Sequence, residues 1–301
     1  MKANAVLTKT MALLAPYLKR SDITEIVVNR PGEVGLERDD GTWEFIKDKA
    51  FSLTNIEHLG AALAADANQL FNTKTPIYAG RLPQYGHRIQ LCMGNMVESG
   101  VAMAIRVSKG KDYPMEAFMS EPEAKALQRM IRDGKTILIC AGTGTGKTTL
   151  MNAMIQHIPM EERIITLEDT RELKIPHHNT VNFTNSKTGT DLAGLEFKDF
   201  INSMMRMNPS RILLGEIDTQ NTLAFLNLAN SGHSGSISTI HASSPAEAIN
   251  RMSGNAQMAG ARADKRDIEA YACEAIDVFV MITKTFQDGK KVFNAEFTLA
   301  K

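Results

Sequence analysis

The sequence predicts an α/β protein of two domains, a smaller α+β unit followed by a larger one built on a mostly parallel sheet. Length, a change of composition near residue 108, and strands alternating with helical patterns from Thr136 onward carry that expectation. The chain has 301 residues, and domains average about 150 residues, so two are expected. Apolar residues make up 43% and charged ones 23%, which excludes the low-hydrophobicity, high-charge compositions that stay disordered. The 34 Lys and Arg cancel the 34 Asp and Glu, so any contact with nucleic acid or acidic lipid must be a local patch.

Taken in order, Val6, Leu7, Met11, Leu14 and Leu18 form an amphipathic N-terminal helix. Lys9 and Thr10 interrupt its apolar run, so it is no signal-peptide core and is expected to pack on its own domain. Lying on a membrane surface is the alternative, since nowhere do 18 apolar residues follow one another. Ile23 to Val28 and Ile89 to Met93 read as strands around an alanine-rich helix, Asn55 to Leu70. Ser108 to Phe118 mixes Gly, Pro and charge without a period, as a linker does. The expected domains are therefore residues 1–107 and 120–301, joined by a linker at 108–119.

Ser120 and Glu123 have capping-box spacing and open a helix that runs to about Arg132, before Gly134 ends it. Strand-like runs follow at Thr136–Cys140, Arg163–Leu167, Thr180–Phe183, Arg211–Leu214 and Ser236–Ile240. Such alternation argues for a parallel sheet, whose ligands bind beyond the carboxyl ends of the strands. The three cysteines, Cys92, Cys140 and Cys273, are far apart and form no C-x-x-C pair, which fits a reduced, cytosolic compartment. His177-His178 has no carboxylate or cysteine at ligand spacing, so metal binding is not expected there.

Directly after the first of these strands comes Ala141-Gly142-Thr143-Gly144-Thr145-Gly146-Lys147-Thr148-Thr149. It matches G-x-x-x-x-G-K-[ST] apart from Ala at the first position. Glycines let backbone N–H groups turn inward around phosphate oxygens, and the following helix presents its positive N-terminus to the same anion. Lys147 would reach the β- and γ-phosphates of ATP, while Thr148 would hold Mg²⁺. With Gly near 7% of residues, chance produces the pattern in about two chains in a hundred of this length. Nucleotide binding is the reading, against a structural glycine turn.

Phosphoryl transfer to water needs a group that orients the water. Two buried-strand patterns end in carboxylates, Arg211 to Glu216 and Ile164 to Asp169, which makes Glu216 and Glu168 candidates. Either is otherwise a surface charge where a strand emerges. Gly232 to Ala242 carries His233 and His241 at the two ends of a strand, and an imidazole there can sense the γ-phosphate or be structural.

In order, AGTGTGKTT, IITLEDTREL, MMRMNPSRILLGEI and SGHSGSISTIHA resemble the Walker A, Asp, Walker B and His boxes of the secretion ATPase superfamily. ITEIVVNRPGEVGLE, RLPQYGHRIQ and VAMAIRVSKG resemble the N-terminal domain of the hexameric traffic ATPases of type IV secretion and conjugation systems. Relatives in type II secretion and type IV pilus assembly often carry a four-cysteine module that this chain lacks, which tilts the resemblance toward type IV secretion.

The resemblance implies a RecA-like P-loop domain that hydrolyses ATP with Mg²⁺, with Gly142 to Thr149 around the phosphates and Lys147 and Thr148 on phosphate and metal. It implies Glu216 as catalytic carboxylate, reaching the metal directly or through water, with Glu168 as its Asp-box partner and His241 near the γ-phosphate. Arg88, Arg106 and Arg81 would approach the nucleotide from the N-terminal domain, and Arg206 matches a basic residue ahead of the Walker B strand. A hexameric ring, inner-membrane channel proteins, a protein or DNA–protein cargo, and a place on the cytoplasmic face of the inner membrane are implied as well. Asp218 stands where the family commonly has Arg, and Asn208 and Ser210 where it has Arg and Asp, which implies an altered basic contact near the ring interface. Two readings of other classes stand beside this one. One is a RecA-like nucleic-acid motor, for which no aromatic-laced basic stripe is seen. The other is an ATP-binding assembly scaffold with weak turnover.

Overall fold

The computed structural model describes residues 5–107, 112–185, 194–230, 232–287 and 290–300. The start of the expected linker, 108–111, and Ser231 at the head of the histidine-bearing segment lie outside the described residues. Two compact units emerge: Met1–Gly110 with Asp169–Arg171 and Asn185–Leu195, and Lys111–Glu168 with Glu172–Thr184 and Glu196–Lys301.

The first unit runs α1 (Ala5–Met11), α2 (Ala15–Leu18), β1 (Ile23–Arg30), β2 (Glu33–Arg38), β3 (Trp43–Lys47), α3 (Leu53–Asp66), β4 (Ile77–Arg81), β5 (Arg88–Met93) and β6 (Val101–Arg106). Its strands form one antiparallel sheet in the order β3-β2-β1-β6-β5-β4. Alternate residues such as Ile26, Val28, Ile89, Leu91, Met103 and Ile105 share a core with Ile56, Leu59 and Leu63 of α3. That is the period-two burial of a sheet with one covered face. Leu7, Leu14 and Tyr17 join the same core, so the N-terminal segment packs on its own unit as expected. It forms two short helices rather than one, with Pro16 in the first turn of the second. Tyr17 donates its hydroxyl to Asp48 Oδ2 at 2.7 Å, and burial, then that bond, pushes its pKa up to about 12.

The alanine-rich helix starts and stops earlier than the periodicity suggests. Ser52 caps it by accepting the Asn55 N–H at 3.3 Å. Asn68, at φ +53°, takes the left-handed conformation just past the end, so the helix stops at Asp66 rather than Leu70.

The second unit runs α4 (Glu121–Arg132), β7 (Ile137–Cys140), α5 (Lys147–Ile155), β8 (Ile164–Glu168), β9 (Thr180–Thr184), α6 (Phe197–Met205), β10 (Arg211–Leu214), α7 (Thr222–Asn230), β11 (Ile237–Ile240), α8 (Pro245–Met258), α9 (Lys265–Ala275), β12 (Val278–Gln287) and β13 (Lys290–Leu299). Glu123 accepts the Ser120 N–H at 3.0 Å, the capping box read from the sequence. At the other end of α4, Lys135 N–H reaches Met130 O and Gly134 N–H reaches Ile131 O, with Gly134 at φ +72°. This is the paired-bond C-terminal motif that glycine permits.

The sheet order is β13-β12-β7-β11-β10-β8-β9, parallel apart from the β12–β13 pair. Every residue of β7, β8, β10 and β11 is buried, as strands covered on both faces require. Ile137 and Ile139 enter a core with Leu127, Ile131 and Leu150, whereas Leu138 and Cys140 enter another with Phe225, Leu226 and Met252. Two cores on two faces make this a RecA-like α/β domain, and the expected α/β class with a smaller α+β unit is the one observed. The hairpin β12–β13 extends the sheet beyond the strands read from the sequence, with β12 parallel to β7.

Candidate nucleotide site

β7 ends at Cys140, and the chain turns through Ala141 to Gly146 into α5. Gly144 and Gly146 hold φ of +70° and +88°, a region costly for residues with a Cβ. A Cβ on Gly146 would also lie 3.3 Å from the ring of Phe118. Within the loop, Thr145 donates its hydroxyl to Gly142 O at 2.8 Å. Thr143 is exposed, while Thr148 and Thr149 are half-buried in the first turn of α5, where helix N–H groups lack intrahelical acceptors.

Lys147 is buried, and its ammonium donates to Ala141 O and Gly142 O, both at 3.1 Å. It also lies 3.1 Å from His241 Nδ1, just past the end of β11. His241 Nε2 lies 2.8 Å from Glu216 Oε1. An ammonium only donates, so Nδ1 accepts from Lys147 and the Nε2 proton is donated to Glu216. The first residue of α5 and residues just past the ends of β11 and β10 thus form one chain, Lys147 to His241 to Glu216. Burial pulls the Lys147 pKa below its ordinary value, while the charges of Glu216 and Cys140 act in the opposite sense.

Glu216 follows β10 by two residues. Gly215 N–H bonds Leu167 O at 3.0 Å, and a Cβ on Gly215 would stand 3.2 Å from Glu168 Cγ, so glycine lets the two strand ends approach. Glu168 itself is buried, and its Oε1 accepts the N–H groups of Glu172 at 2.7 Å and Leu173 at 2.9 Å. The structure thus joins Lys147, His241 and Glu216 directly and gives the Glu168 carboxylate the backbone beyond β8 to hold.

Arg81, Arg88 and Arg106 belong to the first unit. Arg81 pairs with Arg88 across β4 and β5, and Arg88 with Arg106 across β5 and β6, so the three form one row on one face of that sheet. Like charges directly opposite one another repel, and an anion relieves them; Glu25 is the next neighbour in the row. Arg206 caps the C-terminal end of α6 and is exposed. His177 is buried with Nε2 3.1 Å from Pro159 O. Among the described residues no group of three or more His, Cys, Asp and Glu could hold a metal ion.

The departures have local explanations. Asn208 holds φ +52°, a conformation asparagine tolerates and arginine adopts only with strain. Ser210 accepts the Arg163 N–H with its hydroxyl at 2.9 Å. Asp218 Oδ1 accepts the Gln220 N–H at 2.9 Å, and its carbonyl accepts the Thr222 N–H at 3.1 Å, leading into α7.

The site combines a glycine loop between a buried parallel strand and a helix with a strand-end carboxylate, Glu216, that meets a histidine beyond a third strand. The family described as type II/IV secretion system protein matches residues 8–276 of the chain. The chain belongs to this family, as a secretion ATPase of the type II/IV superfamily. The type IV secretion system protein VirB11 of Bartonella quintana is 32% identical over 326 aligned positions, covering 95% of this chain and 90% of that protein. The crystal structure of the VirB11 ATPase from the Brucella suis type IV secretion system, in complex with sulphate, aligns with a TM-score of 0.51 at 28% identity, covering 98% of this chain and 94% of that one. The Legionella pneumophila ATPase DotB shares the fold, with a TM-score of 0.73 at 17% identity over 99% of this chain and 82% of its own. Nucleotide binding follows from membership together with the intact loop.

Two groups of residues escape a sequence reading. Asn221, just ahead of α7, and Thr239 of β11 hold the backbone around Glu216. The D-x-x-N spacing of Asp218 and Asn221, which resembles a capping box, was the available signal for the first. Buried Arg211 pairs with half-buried Glu162, a contact for which no local pattern exists.

Proposed function

We propose that this secretion ATPase is the ATP-hydrolysing subunit that powers substrate translocation or pilus assembly by a bacterial type IV secretion or conjugation system. It works as a homo-oligomeric ring of six, on the cytoplasmic face of the inner membrane, against the channel proteins there. Its cargo is protein or a DNA–protein complex. Relatives named for type IV secretion support this reading, and no helix among the described residues is long and apolar enough to cross a membrane.

The contact of Lys147, His241 and Glu216 is the observation that carries the chemistry. The N–H groups of Gly142 to Thr148 meet the phosphates, and Lys147 exchanges its two carbonyl acceptors for phosphate oxygens, which carry more charge. Glu216, held by the Nε2 proton of His241, orients and deprotonates the attacking water. The donors fit Mg²⁺, since Thr148 and Glu216 offer the hard oxygens this ion prefers and phosphate supplies others. When bound, that ion neutralises charge developing on the phosphate oxygens. Arg88 and Arg106, with Arg81 beside them, supply guanidinium donors to the phosphates, and Arg206 contributes positive charge from the end of α6. Glu168 serves by holding the segment that follows β8.

Lys147→Ala is expected to abolish turnover and weaken nucleotide binding, because the charge that meets the phosphates is lost. Glu216→Gln is expected to keep binding and slow hydrolysis by a factor of about 10² to 10⁴, the range for a general base. Phosphate release and fluorescent-nucleotide titration read both. Undiminished turnover in Lys147→Ala overturns the site.

A further inference from the structure

Both carbonyls flanking the Cα of Glu216's peptide segment are held by buried side chains from elements outside its own strand. Thr239, only 2% exposed, donates its hydroxyl to Gly215 O at 2.9 Å. Asn221, 4% exposed, donates Nδ2 to Glu216 O at 2.7 Å. Asn221 Oδ1 in turn accepts the Asp218 N–H at 2.8 Å. Its amide orientation follows from chemistry, because the first partner is a carbonyl that only accepts and the second an N–H that only donates. Neither aspartate nor leucine can serve both.

The surroundings hold Asn221 in turn. Thr222, fully buried, donates its hydroxyl to Asp218 O at 2.5 Å and receives Asn255 Nδ2 at 3.2 Å, while Thr219 donates to Asn255 Oδ1 at 3.3 Å. Ile217 N–H bonds Thr239 O at 2.7 Å. The backbone from Gly215 to Asp218 is thus tied to β11, α7 and α8. The Glu216 side chain is 35% exposed, and among the described residues its carboxylate is held by the His241 ring. Backbone clamping therefore has much to do in aiming its carboxylate.

We propose that Asn221 is a positioning residue for Glu216, fixing the backbone from which the carboxylate meets His241 and water. The inference rests on the reading of Glu216 as the group that activates water. Asn221 touches neither nucleotide nor water in this role and acts only through Glu216.

The decisive variant is Asn221→Asp in the full-length protein, which keeps the acceptor for Asp218 N–H and sets an oxygen against Glu216 O. Misplacing a catalytic group by about 1 Å can cost a hundredfold. We expect kcat for MgATP hydrolysis to fall between about tenfold and a hundredfold, with KM and the affinity for a fluorescent ATP analogue unchanged. Adding Asn221→Asp to Glu216→Gln should cause no further loss, since aiming an absent base is without effect. Asn221→Ala, which removes both bonds without placing an oxygen there, serves if the first variant does not fold, and should show the same split. Parent-like kcat in a folded Asn221 variant, a rise in KM alone, or a full additive loss on top of Glu216→Gln overturns the proposal. Parent-like turnover in Glu216→Gln alone would overturn the base assignment instead, so the two failures are told apart.

Discussion

Arg211 opens β10, the strand that delivers Glu216, and is only 3% exposed. Its Nε and Nη2 donate to the two oxygens of Glu162, at 2.5 and 2.8 Å, and Nη1 donates to Ile131 O at 2.6 Å. The guanidinium thus ties β10 to the end of α4 and to the turn before β8. Gly235 leaves room for it, since a Cβ there would lie 3.2 Å from Arg211 Cδ. Glu162→Gln keeps the shape, removes the negative charge and turns an NH₂ group toward the guanidinium. Removing one partner of a buried pair costs about 3–5 kcal/mol. Glu162 is 22% exposed, so water compensates part of this and about 2–4 kcal/mol is expected. For a unit of this size each kcal/mol moves the midpoint by about 2–4 °C, which gives a fall of about 4–16 °C. Urea and thermal unfolding followed by circular dichroism measure it. Replacing both partners, Arg211→Met with Glu162→Leu, should recover most of the loss, because no uncompensated charge then remains buried. A Glu162→Gln loss below about 1 kcal/mol, the range of exposed pairs, or a double variant no better than the single, would refute the reasoning.

Other expectations concern the arginine row, the α4 cap and Asn208. Arg88→Ala and Arg106→Ala should each lower turnover, by a factor that can reach about 10³ for an arginine on the transferred phosphoryl group, with melting unchanged. Mixing Lys147→Ala with Arg106→Ala protein restores activity only if the arginine serves a neighbouring subunit, and parent-like turnover in both arginine variants refutes their role. The Ser120 hydroxyl and backbone N–H hold the Glu123 carboxyl below its ordinary value near 4.5. That stabilisation is present above the unfolded value and lost as pH falls through the folded one. Glu123→Gln should therefore melt lower than the parent at neutral pH and alike in acid, and a gap that persists in acid would count against the cap. At φ +52°, Asn208→Ala should lose about 1 kcal/mol to left-handed strain and Asn208→Gly less, as urea midpoints would show.

What the sequence by itself determined is what consecutive residues encode. The phosphate loop lies within nine adjacent positions, so its glycines, lysine and threonines are legible together. Of the four strands buried on both faces, Ile137–Cys140 reads as an unbroken apolar run and the other three as short aliphatic and β-branched runs that also hold Glu168, Arg211 or Ser238, because helices cover both sides and no period-two alternation survives. The capping box at Ser120 is likewise local. The hairpin β12–β13 escaped because it follows the last helix, where the strand–helix alternation that revealed the others has ended. Only the tertiary structure could bring Lys147 to His241, 94 residues on, or set Arg211 against Glu162, 49 residues back. Those distances are closed by sheet order, which places β7 beside β11 and β11 beside β10, and sheet order is a property of the whole core. The same holds for Asn221 and Thr239, ordinary polar residues in the sequence. Their tasks exist because burial removes water from the carbonyls around Glu216 and leaves those side chains as the available donors.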